Sequence, residues 1–218
     1  MHKPAQKQGE FIALIAFLMS IVALSIDAIL PALHSIGNDF KISDENDLQW
    51  IIGSLFIGMT IGQLIYGPLS DSIGRKKTIY IGLVIYLIGS FLAIIAQDFN
   101  VLLFGRFLQG FGAASPRVLT IAMVRDRFSG REMAKIMSFV MTIFILVPAI
   151  APSLGAGILF FGHWEVIFYV FIGLGIVNFI WLITRQEETL HPDHVRPFNL
   201  FLIFKAILEV LKSPISLG

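Results

Sequence analysis

The sequence has no cysteine, which excludes disulfides and thiolate-held metals. Charge is scarce as well. Asp, Glu, Lys and Arg make up 14% of the 218 residues, where a soluble domain carries roughly 25%. The 16 basic and 15 acidic residues nearly cancel, to +1, so there is no case for nucleic-acid binding. The five histidines form no HExxH or similar pair, and no metal site is expected. No G-x-x-x-x-G-K-[ST] loop is present, so ATP is not the expected energy source. No G-x-S-x-G or metal-hydrolase motif marks an enzyme. An intramembrane aspartyl protease needs two buried acids, and only Asp27 is available.

What is present in excess is apolar surface. Hydrophobic residues make up 56% of the chain, and the mean hydropathy is +0.81. A single soluble core of this length cannot hide so much, so lipid must serve as solvent for part of it. Six runs approach or exceed the roughly 20 residues that a bilayer core requires: residues 11–33, 50–69, 78–97, 101–124, 133–161 and 164–184. Continuous apolar runs, rather than alternating ones, point to helices and not to a barrel. The expected fold class is therefore an all-α membrane protein, a six-transmembrane-helix bundle. Pro148 and Pro152 are expected to bend the long fifth run. The first run, with Lys3 and Lys7 ahead of it and Ala23 and Ser25 near cleavage spacing, loosely fits a secretion signal. Five further runs make a retained helix the simpler reading.

Lys and Arg set the orientation. Thirteen of the 16 fall in alternate loops on one side or in the terminal segments, Lys41 alone lies on the other, and Arg106 and Arg117 are inside the fourth run. Both termini are thus expected in the cytoplasm, with the chain multi-pass in the cell (inner) membrane. Residues 1–184 read as one membrane domain and 185–218 as a cytoplasmic linker. Leu200, Ile203, Ile207 and Leu211 share a helical face there. That short helix either lies on the inner membrane surface or is a plain connector.

A charge near the middle of a spanning helix costs roughly 2.5–3.5 kcal/mol on insertion scales. Asp27, Arg106 and Arg117 are such residues, and each is expected to face a bundle interior or a wet cavity. Asp27 and Arg106 sit at similar depth, roughly 9 Å from the outer surface at 1.5 Å per residue, and can pair if the first and fourth helices are neighbours. Arg117 follows Arg106 by about three turns on the same face, with Gly110 and Ala113 between them. One reading is a buried ion pair that only locks helices. The other is functional. Desolvation raises an Asp pKa and a nearby Arg lowers it, so an arriving cargo molecule can exchange with a proton on Asp27.

Between the second and third runs lies GPLSDSIGRKKTI, with Gly67 and Gly74 suited to a tight turn and Asp71, Arg75, Lys76 and Lys77 forming a charge cluster. Read alone, it is an inner loop whose charge sets topology. Its Gly67, Asp71, Gly74, Arg75 and Lys76 match the signature loop of the major facilitator superfamily, which the chain resembles. The resemblance implies a conformational latch, with Asp126 of the next inner loop the expected partner of Arg75. Three further segments resemble twelve-helix drug:proton antiporters: SIDAILPAL with Asp27 and Pro31; LLFGRFLQGFGAA with Arg106, Gln109 and Gly110; and VPAIAPSLGAG with Pro148, Pro152 and Gly155. In the last, Ala151 and Ala156 replace two glycines of the usual form. The IAPSLG segment and Arg117 are most like the bicyclomycin-resistance subfamily.

The resemblance implies one half of a twelve-helix major facilitator fold. It implies proton-coupled efflux of a drug-like small molecule, with Asp27, Arg106, Gln109, Gly110 and Arg117 at the coupling and substrate cavity. The proton gradient replaces any cofactor. The remaining partner is a missing C-terminal six-helix half or a second copy in parallel. A truncated inactive fragment and a membrane-embedded assembly subunit stay open as alternatives. Gly58 with Gly62, and Gly110 with Ala114, read as generic small-residue helix packing.

Overall fold

The computed structural model describes residues 8–198. The surface-helix expectation at Leu200–Leu211 falls outside them. Seven α-helices and short 3₁₀ turns, with no strand, account for the regular structure of the described residues: α1 (Gln8–Asp27), α2 (Leu33–Asp39), α3 (Trp50–Ile73), α4 (Arg75–Ile94), α5 (Phe99–Arg127), α6 (Gly130–Leu159) and α7 (Glu165–Arg185). α1 fills most of the first apolar run, and α2, which shares only Leu33 with it, carries the chain on to Asp39. They are separated at a 3₁₀ turn, Leu30–Ala32, that contains Pro31. Proline lacks an N–H and disfavours helix in the residue before it.

Several helices extend past the apolar runs at one end of the bundle. α3 continues to Ile73, α4 begins at Arg75, α5 continues to Arg127 and α6 begins at Gly130. Hydropathy registers where lipid stops, whereas the backbone ladder continues through the charged surface layer. This end holds Arg75, Lys76, Arg125, Arg127 and Arg185 and is called the basic end. The opposite, acidic end carries Asp39, Asp44, Glu45 and Asp47. The Asp39 carboxylate accepts the Trp164 indole N–H there at 2.7 Å, and Asp98 caps α5 by accepting the Val101 N–H at 3.0 Å.

α5 is the axis of the bundle and packs along most of its length on α3 and α4. Backbones approach closely where glycines leave room. A Cβ on Gly58 of α3 would stand 2.0 Å from the Phe107 carbonyl oxygen, and one on Gly110 of α5 would stand 2.0 Å from that of Leu55. Small residues thus set the α3–α5 spacing. Among the described residues, five helical segments are apolar and long enough to cross a membrane, and α5 is not among them. It carries Arg106, Gln109 and Arg117 along with many small residues, which suits a helix whose surroundings are protein rather than lipid. α4, by contrast, exposes Ile81, Val84, Ile88 and Phe91, a stripe with helical spacing that suits acyl chains.

Two apolar clusters fill the interior. One joins Trp164, Phe168 and Phe171 of the acidic half to Ile29, Ile51 and Leu55. The other joins Phe11, Leu14 and Leu18 to Ile79, Leu83 and Leu119 in the basic half. α6 stands apart. Of its 30 residues only Ile136, Val140, Ala151 and Gly155 are buried, and its main packing partner is α1.

Candidate functional site

Arg106 is fully buried, and a buried guanidinium is tolerable only when its donors are satisfied. Three elements do this. Nε donates to the Ile51 carbonyl of α3 at 3.1 Å, one terminal nitrogen to the Ser25 carbonyl of α1 at 2.9 Å, and the other to the Gln109 side-chain oxygen. The guanidinium carbon lies over the Phe168 ring of α7, 5.8 Å from its centre. The network continues outward. Gln109 donates to the Ser90 hydroxyl at 2.8 Å, and the Ser25 and Tyr86 hydroxyls meet at 2.8 Å. One side chain therefore ties α1, α3, α5 and α7 together, and α4 joins through Ser90 and Tyr86.

The Asp27–Arg106 ion pair that similar depth allowed is not formed among the described residues. The reason lies in the backbone. Because α1 ends at Asp27, its last carbonyls lack intrahelical partners and carry the negative end of the helix dipole. The Ser25 carbonyl is one of these, and Arg106 occupies it in place of the carboxylate. Asp27 is left half-exposed at the break in the first span. Gly155 of α6 meets the same break, where a Cβ would lie 2.0 Å from the Ala28 carbonyl oxygen. α6 itself continues as helix through Pro148 and Pro152.

Gly110 and Ala113 do not form an open stripe between the two arginines. Both are buried, Gly110 against Leu55. Arg117 is in a different environment from Arg106. It is half-buried, with its guanidinium 4.6 Å from the Phe144 ring centre. It lines a cavity of about 500 Å³ between α1, α3, α5 and α6 at the basic end, together with Met19, Gln63, Arg125, Met141 and Phe144.

The charged loop is a tight corner. Gly74 alone turns it, at φ +103°, a conformation that favours glycine. Gly67 lies inside α3 with open space beside it and takes no part in the turn, because the helix runs past Pro68. Arg75 bridges three groups: the Asp126 carboxylate at 3.0 Å, the Asp71 carboxylate and the Ser70 hydroxyl at 2.5 Å. Burial pulls its pKa down, but hydrogen bonds and charge attraction from Asp126 and Asp71 outweigh this and hold it above the ordinary arginine value. Lys76 reaches the Gln186 carbonyl after α7.

Sequence reasoning missed Glu188. Its carboxylate accepts the N–H groups of Arg75 at 2.9 Å and Lys76 at 3.1 Å, so a residue after α7 caps the start of α4. The same stretch places Thr189 on Asp126 at 3.3 Å and the Arg196 N–H on the Asp71 carbonyl at 2.9 Å. A lone acid in a polar tail gives no signal of this. Ser25, Tyr86 and Ser90 were missed because polar residues of ordinary type in a span look like packing.

Apolar helices around a polar axis, with a cavity between them, fit a multi-pass membrane domain. Sequence comparison gives the family. The Major Facilitator Superfamily profile matches residues 15–217, and the chain belongs to that superfamily. It is 33% identical over its full length to an MFS-type transporter of Bacillus subtilis, YdgK, covering 55% of that protein. Over 95% of its length it is 33% identical to a bicyclomycin resistance protein homolog of Haemophilus influenzae, covering 52% of it. Over 89% it is 31% identical to the multidrug resistance protein MdtL of Klebsiella pneumoniae, covering 52%. The chain thus spans about half the length of the curated relatives it matches. Among solved structures, the human organic anion transporter MFSD10 (TETRAN) shares the fold over 94% of this chain and 55% of its own, with a TM-score of 0.72 at 16% identity.

Proposed function

We propose that this chain is the N-terminal half of a proton-coupled exporter of drug-like small molecules. In this reading a second six-helix half, or a second copy of the chain, completes the translocation path. The basic end faces the cytoplasm of a cell (inner) membrane, in line with the distribution of Lys and Arg. The relatives named for bicyclomycin and multidrug resistance support the export direction.

The observation that carries the proposal is the separation of Asp27 from Arg106. Each nitrogen of Arg106 donates to an oxygen of Ile51, Gln109 or Ser25, and the arginine fixes the end of α1. Asp27, at that end, is half-exposed and bound by no cation among the described residues. A carboxylate so placed loads and releases a proton as water and cargo reach it alternately, while the arginine scaffold stays put. Asp71, Arg75 and Asp126 then act as the latch at the basic end, and Pro152 and Gly155 set the α6–α1 contact. The sparse burial of α6 leaves an apolar flank for the second half.

The test is extrusion of ethidium and chloramphenicol from cells producing this chain with and without a second half. Extrusion only when both are present is expected if a distinct second half completes the path, and extrusion by the chain alone if a second copy does. In either case it should collapse when the proton gradient is discharged. Extrusion that persists without the gradient rules out the coupling.

A further inference from the structure

The cavity at the basic end holds a cation with no counter-ion among the described residues. A guanidinium carries five N–H donors. Among the described residues, the donors of Arg117 meet no carboxylate and no other hydrogen-bond acceptor, and its one recorded contact is the Phe144 ring at 4.6 Å. The other charges lining the same space are Arg75, Arg125 and Asp126. The single carboxylate is committed elsewhere, to Arg75 and Thr189. The excess is therefore positive, inside a space walled largely by apolar side chains, where charges interact more strongly than in water.

The placement of Arg117 matters as much as its charge. The Arg117 guanidinium lies over the Phe144 ring, 4.6 Å from its centre, a contact that uses none of its N–H donors. The guanidinium fork matches a planar carboxylate with two parallel hydrogen bonds. Gln63 of α3 lines the same cavity and supplies an amide. The volume of about 500 Å³ falls within the range of sites that enclose drug-sized ligands, roughly 300–1,000 Å³.

We propose that this cavity is an anion subsite for cargo, in which Arg117, backed by Phe144, binds the carboxylate of an acidic small molecule. The inference rests on the transport reading and adds acidic small molecules to its cargo. An acidic side chain from a second half would satisfy Arg117 by the same chemistry, so the experiment must separate the two.

The probes are carboxyfluorescein, which is anionic, and ethidium, which is cationic. Their binding to the complete purified protein is followed by fluorescence polarisation. Arg117→Gln is expected to weaken carboxyfluorescein roughly tenfold relative to ethidium. Arg117→Lys, which keeps the charge but not the fork, is expected to fall between the two. Raising salt from roughly 0.05 M to roughly 0.5 M is expected to weaken carboxyfluorescein binding to the unmodified protein. Equal losses for both probes in Arg117→Gln, absence of carboxyfluorescein binding, or binding indifferent to salt would each overturn the subsite. If Arg117→Gln does not accumulate, the salt titration and Arg117→Lys decide. Gradient-driven ethidium export without carboxyfluorescein binding leaves the transport reading standing and removes this one. Arg117-dependent carboxyfluorescein binding without gradient-driven export does the reverse.

Discussion

Arg106 donates to the carbonyl of Ser25, two residues before Asp27, at 2.9 Å. The cation thus binds the end of α1, while the carboxylate of the same segment has no ion-pair partner among the described residues. This geometry separates a structural role from a chemical one, and the two are tested by different substitutions.

Asp27→Asn removes the titrating oxygen and almost nothing else, since no salt bridge of Asp27 is lost. Membrane insertion and detergent-solubilised stability are expected to match the unmodified protein. Cargo-driven proton movement in reconstituted vesicles of the complete protein is expected to disappear. Undiminished proton flux in the Asn variant would exclude Asp27 as the coupling site.

Arg106 should respond differently. Arg106→Ala strips partners from the Ser25 carbonyl and the Gln109 side-chain oxygen, both in a dry interior, while the Ile51 carbonyl keeps the Ser54 hydroxyl. Each orphaned buried group costs about 1–3 kcal/mol, so a large loss of thermal stability is expected even before transport is measured. Arg106→Lys keeps a charge but has no fork to reach acceptors on α1, α3 and α5 together, and it should recover only part. Thermal unfolding of the purified complete protein checks both. A Lys variant as stable as the original would mean that the three-way bridge contributes little.

The reach of the sequence is uneven along this site. The six runs and the basic end were legible because lipid solvation and loop charge act residue by residue. Arg75 and Asp126, 51 positions apart, were legible through the motif that contains one and the inner loop that contains the other. The partners of Arg106 were not. A main-chain carbonyl is available only where a helix stops, and the stop at Asp27 became visible only once the Pro31 turn was placed. Gly67 and Gly74 look alike in sequence, yet only the second turns the chain, because α3 extends four residues beyond the expected 69 to Ile73.

Those two glycines make a matched pair. Gly67→Ala adds a methyl into open space on a helix and is expected to be neutral or slightly stabilising, as alanine is favoured over glycine there by roughly 1 kcal/mol. Gly74→Ala faces a positive φ and a Cβ position 2.5 Å from the Glu188 carboxylate. It is expected to lower stability and displace Glu188 from the start of α4. Limited proteolysis of the corner, compared between the two variants, reads the difference. Equal sensitivity would contradict the turn geometry.

The last test concerns Glu188, which lies far from the corner it caps in sequence but reaches two of its backbone N–H groups. Glu188→Gln keeps the shape and an acceptor oxygen but removes the charge that complements the N-terminus of α4. Glu188→Ala removes the cap as well. Amide hydrogen exchange at Arg75 and Lys76 is therefore expected to quicken slightly in the first variant and roughly fivefold in the second, the scale of a lost N-cap. Exchange at the Val101 amide, capped independently by Asp98 at the other end of the bundle, should not change in either. If the Arg75 and Lys76 amides are equally protected in all three proteins, the segment after α7 does not hold the corner. Asp71, Arg75 and Asp126 must then maintain it alone.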